Sequence, residues 1–174
     1  MSHSLHRAGN AEELKKDYVI LSMGALGFNK EEAGEKLKII SKIFVKYQPV
    51  NMGDAAYGSL YTGQTKEDFL SDRTPKVVTA TYSDKETVKK VLAEIKEEKL
   101  KVSVVVSGLI DEIEDIVNEI GLEINTINLS AGYFGKTELI ADENILEFTT
   151  MCGHHLISHN LVKDVLAKYK NKNR

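Results

Sequence analysis

The sequence predicts an α+β protein made of two similar strand–helix–strand–strand–helix units, of ferredoxin-like character, around a mixed sheet. Three observations lead there. β-branched runs alternate with stretches of helical period along the chain. This order of elements starts again near Lys101. Three short segments also match between the halves, in the same order. Val19-Ile20-Leu21-Ser22 lies on Val104-Val105-Val106-Ser107. Tyr61-Thr62-Gly63-Gln64-Thr65 lies on Tyr133-Phe134-Gly135-Lys136-Thr137. Val88-Lys89-Lys90-Val91-Leu92-Ala93 lies on Val162-Lys163-Asp164-Val165-Leu166-Ala167. The competing architecture is an open, mainly parallel α/β sheet, which strand-to-helix crossovers favour. The expected organisation is a polar N-terminal segment, 1–16, followed by one globular domain of two repeats, 17–100 and 101–174.

The elements follow in order. Residues 18–23 form a β-rich run stopped by Gly24. Asn29 stands where a helix N-cap would. Glu31 and Glu32 follow, and Leu37, Ile40, Ile43 and Phe44 recur at helical spacing, so a helix is expected over 30–47, ended by Pro49. Gly53, Gly58 and Gly63 punctuate an irregular region, with a short strand expected at 59–62. A strand at 77–82 leads through Ser83 or Asp84, as cap, into a helix striped by Val88, Val91, Leu92 and Ile95. The most apolar run, 102–106, reads as a central strand buried on both faces. A helix over 110–120 is closed by Gly121. Strands are expected at 122–129 and 144–151, and a last helix over 158–169.

Composition narrows the function. Hydrophobic residues are 42% and charged residues 28%, which suits a globular chain. Net charge is −3, from 23 Lys and Arg against 26 Asp and Glu, so no nucleic-acid partner is expected. One cysteine excludes an internal disulfide framework and any all-Cys metal site. No apolar run approaches the roughly 20 residues that span a bilayer. With no signal-type apolar segment either, a cytoplasmic protein without membrane association is expected.

Chemistry concentrates at Met151–His159, which holds the only cysteine and three of the five histidines. Val77 maps on Ile145, 68 positions on, while Val88 maps on Val162, 74 positions on. The repeat therefore leaves six surplus residues at 152–157, a length that symmetric packing does not need. Thiolate and imidazole are ligands preferred by zinc and other transition metals. Cys152, His154, His155 and His159 are the candidate ligands. His3 and His6, spaced for one helical face, could complete the set from this chain or a neighbouring subunit. If the last helix began early, His155 and His159 would share a face at i, i+4. The segment is not an HExxH motif, because residue 156 is Leu. As an enzyme, the same group would use Cys152 as nucleophile, near a positive helix end, with His155 or His154 as base. The plain alternatives are a small buried core cysteine and histidines exposed in a turn or tail.

Gly135-Lys136-Thr137 resembles the end of a phosphate-binding loop, but position 130 is Ser and not the required Gly. Backbone N–H groups there, with Lys136, are candidates for a small anionic ligand; glycine-requiring turns are the simpler account. A Ser107–Asp111–His155 triad has no Gly-x-Ser-x-Gly elbow to support it. The leading functional expectation is a protein that binds a small ligand or transition metal, zinc among them, at the Cys/His turn. The others are a Cys152 or metal-dependent enzyme of hydrolytic or transfer chemistry, and a structural assembly protein. A homo-oligomer is expected.

Overall fold

The computed structural model describes residues 7–25, 27–151 and 156–172. It is an α+β structure with one antiparallel sheet. The elements are α1 (Ala11–Leu14), β1 (Tyr18–Met23), α2 (Ala33–Lys46), β2 (Asn51–Asp54), β3 (Gly58–Ser59), α3 (Lys66–Leu70), β4 (Val77–Tyr82), α4 (Lys85–Glu97), β5 (Ser103–Ser107), α5 (Ile110–Glu119), α6 (Glu143–Thr149) and α7 (His159–Lys172). Short 3₁₀ turns lie at Leu60–Thr62 and Thr137–Leu139. The chain divides into two compact units. Lys15–Ile124 is one, and Met1–Leu14 with Asn125–Arg174 is the other.

The first unit holds the sheet, in the order β3-β2-β4-β1-β5 with every neighbouring pair antiparallel. Strand alternation sorts its residues. Tyr18, Ile20 and Ser22 of β1 and Val78, Ala80 and Tyr82 of β4 are buried in the core with Leu37, Ile40 and Phe44 of α2 and Val88, Val91 and Leu92 of α4. The intervening strand positions are less buried. Two polar groups in this core are paired: the Tyr82 hydroxyl donates to the Phe44 carbonyl at 3.1 Å, and Ser22 Oγ to the Ser103 carbonyl at 2.8 Å. Burial pushes the Tyr82 hydroxyl pKa well above its ordinary value.

Local signals set the boundaries. Asp84 caps α4, its carboxylate accepting the Thr87 N–H at 2.8 Å. Gly121 ends α5 at φ +64°, and the Leu122 N–H returns to the Val117 carbonyl at 2.9 Å, the bond pattern of a glycine-terminated helix. Lys85 reaches Glu112 and Asp115 across to α5, at 3.0 and 2.8 Å, so part of the acidic start of that helix is paired.

Several expectations are corrected. Asn29 does not cap α2. Its side chain instead accepts the Ala25 N–H at 2.8 Å and donates to the Lys101 carbonyl at 2.6 Å, and α2 starts later, at Ala33. The strand expected at 59–62 is a hairpin end at Ser59 followed by a 3₁₀ turn, held by Thr62 Oγ1 accepting the Ser59 N–H at 2.7 Å. β5 is an edge strand, not a central one: Val104 and Val106 are only partly buried, because one side of the strand has no neighbour in the sheet. Residues 122–129 form no strand and are exposed. Residues 143–149 are helical, since Ile145, Leu146 and Thr149 bury one helical face. Among the described residues the sheet is antiparallel throughout, neither mixed nor parallel, and the element order of the first half does not recur after Lys101.

Candidate functional site

In the second unit, α6 and α7 pack against each other, and the segment between them carries the Cys/His cluster. α6 ends at Thr149, with Thr150 as its C-terminal cap. α7 begins at His159, where Ser158 Oγ accepts the Leu161 N–H at 3.2 Å and so fixes the first turn. Residues 156–158 are not helical. The early helix start that would set His155 and His159 on one face is therefore absent. The surplus of six residues also loses its basis, because the matched strand is helix α6. His159 is partly exposed at the first helical position. Cys152, His154 and His155, and likewise His3 and His6, lie outside the described residues. Among the described residues, no group of three or more His, Cys, Asp or Glu side chains is arranged to hold a metal ion.

What the structure does show is a clasp beside these segments. Arg7 Nη1 donates to the Glu147 carbonyl at 2.8 Å and to Thr150 Oγ1 at 3.2 Å. The Ala8 N–H donates to the same hydroxyl at 3.0 Å, and Asn10 Nδ2 to Glu147 Oε1 at 3.3 Å. Thr150 Oγ1 itself donates to the Leu146 carbonyl at 2.6 Å. That hydroxyl thus uses its one proton and both lone pairs. Thr150 is fully buried. Gly9 fits under the clasp because a Cβ there would stand 3.0 Å from Glu147 Cγ.

The clasp joins two histidine-bearing stretches by their described ends. His6 is the residue before Arg7, and Cys152 the second after Thr150. Beside the clasp, Thr149 Oγ1 is buried without a hydrogen-bond partner. An orphaned buried hydroxyl costs stability unless something supplies a partner. The sequence signals that could have found this place are Arg7 directly after His6 and the Thr149-Thr150 pair directly ahead of Met151-Cys152.

The second candidate region is exposed throughout. Gly135 adopts φ +85°, and the Thr137 N–H turns back to the Gly135 carbonyl at 2.9 Å, closing a three-residue turn around Lys136. The Thr137 amide that an anion would need is therefore engaged inside the turn.

In the sheet unit, sequence reasoning missed a narrow cleft among Ser41, Asp54, Tyr57, Phe69, Arg73 and Val78. Asp54 is buried, and its carboxylate accepts the Ala56 and Lys76 N–H groups at 2.6 and 2.9 Å, so it pins the hairpin. Arg73 lies over the Tyr57 ring at 5.3 Å and pairs with Asp68 at 3.1 Å. Two hydrogen bonds from Thr65, then the Arg73 charge, hold the Asp68 carboxyl below its ordinary pKa. Ser41 Oγ, also lining the cleft, is buried without a partner.

No helix among the described residues is long and apolar enough to cross a membrane. No family model, curated protein or solved structure matches the chain.

Proposed function

We propose that this protein binds a transition metal, zinc in the first instance, through Cys152, His154, His155 and His159, with His6 or His3 completing the set from the N-terminal segment. The observation that carries the reading is the clasp between Arg7–Ala8 and Thr150, which ties the start of the chain to the helix end two residues from the cysteine. The donor chemistry agrees, because one thiolate with several imidazoles is a borderline-soft set suited to zinc. The buried, unpartnered Thr149 hydroxyl offers a further polar group next to it. The sheet unit is proposed to be ferredoxin-like. Without the two-residue strand β3 and the short helix α3 that follow β2, its order β1-α2-β2-β4-α4-β5 is the split βαβ arrangement, made once in 18–107. The apolar stripe Leu161, Val165 and Tyr169, exposed on α7, supports the proposal that the protein self-associates.

The test is metal analysis of the untagged, full-length protein together with cobalt(II) substitution. About one metal per chain is expected, with a thiolate-to-cobalt charge-transfer absorption that Cys152→Ser abolishes. His155→Ala is expected to weaken binding at least about tenfold, as loss of one ligand does at such sites. Binding should fall as pH drops through the imidazole range near 6.5, because protons compete for the same nitrogens. A chain that carries no stoichiometric metal, or that keeps it unchanged as Cys152→Ser, overturns the reading.

A further inference from the structure

We infer that the outer edge of β5 pairs with the same edge of a second copy of this chain, joining two sheets into one antiparallel sheet about a two-fold axis. The inference rests on the self-association proposed above and deepens it, by placing the contact in the sheet unit at a surface other than the α7 stripe. It does not depend on metal binding.

The two ends of the sheet are built differently. At one end β3 has only two residues, Gly58–Ser59, and the chain passes at once into the 3₁₀ turn Leu60–Thr62. So short a strand is a common way of blunting an edge. At the other end β5 has five residues, Ser103–Ser107, paired with β1 alone among the described residues. Its sequence, Ser-Val-Val-Val-Ser, holds no proline, no glycine and no charge that would block a further strand.

That sequence also reads the same in both directions. A two-fold axis requires a contact in which residue i meets j and j meets i. Antiparallel pairing centred on Val105 sets Val105 against Val105, Val104 against Val106, and Ser103 against Ser107 of the second copy. β-branched pairs then fill the middle, and hydroxyls close the ends. Ladder geometry adds about four to six backbone hydrogen bonds. The charges outside the strand agree. Lys99 and Lys101 are exposed ahead of it, and Asp111 and Glu114 behind it. Antiparallel pairing brings the basic end of one copy beside the acidic end of the other, whereas parallel pairing would set like charges together. Because the opposite edge is blunted, two copies close the assembly and no fibre follows. An edge of this length buries less than a standard interface, so the dimer is reversible, with a dissociation constant in the micromolar range.

The experiment is sedimentation equilibrium of the full-length chain from micromolar to millimolar concentration, with circular dichroism to confirm folding. Wild type should pass from monomer to dimer. Ser103→Lys/Ser107→Lys sets like charges opposite each other and should weaken dimerisation at least about tenfold. Ser103→Lys/Ser107→Glu removes the same two serines but sets opposite charges in register, and should retain at least about a third of the wild-type affinity. Lys101→Glu alters only an exposed side chain and should weaken the dimer at least about threefold. It decides the matter where the double variants fail to fold, and unchanged affinity there overturns the inference. A dimer that folded Ser103→Lys/Ser107→Lys leaves intact also overturns the edge pairing; if Val165→Asp on α7 abolishes that dimer, self-association through the stripe stands. Equal weakening in both double variants overturns the register and the inference with it. A wild-type chain that stays monomeric at millimolar concentration overturns both this inference and self-association.

Discussion

Helices α4 and α7 share a six-residue pattern, and the protein uses the two copies differently. Val88, Val91 and Leu92 of α4 sit in the core, with Val91 at 0% exposure. At the matching places of α7, Val162 is buried, but Val165 is 54% exposed. Leu161 and Tyr169 on α7 are exposed at 53% and 66%. The charged positions diverge as well. Glu94 reaches out of its own helix to Lys46 at 2.6 Å and to the Tyr47 hydroxyl at 2.7 Å, both on the end of α2. Its counterpart Lys168 pairs within its own helix, with Asp164 at 2.6 Å. The lesson is that an amphipathic pattern specifies a helix but not its burial. Burial needs a surface of matching period, and α4 has the antiparallel sheet and α2, whereas α7 has the seven-residue helix α6.

The largest expected contrast is Val91→Asp against Val165→Asp. The first puts a carboxylate in a sealed apolar core and should prevent the sheet unit from folding. The second should stay within about 0.5 kcal/mol of wild type by denaturant titration. Equal losses would mean that α7 is covered in solution, as self-association through its stripe requires; dilution should then restore the difference. Next comes Leu92→Ala, expected to cost about 2–5 kcal/mol from the cavity it leaves, with Leu166→Ala costing clearly less. The caps give a smaller contrast. Asp84→Ala should cost about 1 kcal/mol in global unfolding, and Ser158→Ala should register mainly as faster exchange at the start of α7.

The smallest effect concerns pH. The Lys46 and Tyr47 hydrogen bonds hold the Glu94 carboxyl below its ordinary pKa. A depressed carboxyl contributes stability above its unfolded-state pKa and loses it as pH falls through the folded value. Glu94→Gln should therefore flatten part of the stability loss below about pH 4.3 and leave the curve near neutrality otherwise parallel to wild type. An acid limb identical to wild type would show that the pair contributes nothing. Breaking the exposed Lys168–Asp164 pair should change stability by no more than about 0.5 kcal/mol, and less in high salt.

The sheet unit was legible because its signals are local and agree with one another. The β-rich runs at 18–23 and 77–82, the Asp84 cap, the helical stripe of α4 and the Gly121 stop all lead to the observed elements. The failures have physical causes. Ile145 and Leu146 are β-favouring or neutral in so short a run, and their burial on one helical face depends on tertiary packing that periodicity over seven residues does not resolve. Val104-Val105-Val106 reads as central because apolarity does not reveal that a strand ends a sheet. The resemblance of α4 to α7 reflects the shared demands on a soluble amphipathic helix, and once the second set of strands is gone it carries no repeat of architecture. At the candidate site, the Cys/His concentration was visible in the sequence. The clasp was not, since it joins residues more than 140 positions apart through one threonine hydroxyl and an arginine.

That separation in sequence orders events at the ribosome. Residues 15–124 are contiguous and hold a complete sheet, so they can fold while the remainder is still being made. Arg7 and Ala8 are made before the sheet unit, and their acceptors on Glu147 and Thr150 are made after it. The clasp thus closes only after the whole sheet unit has been synthesised.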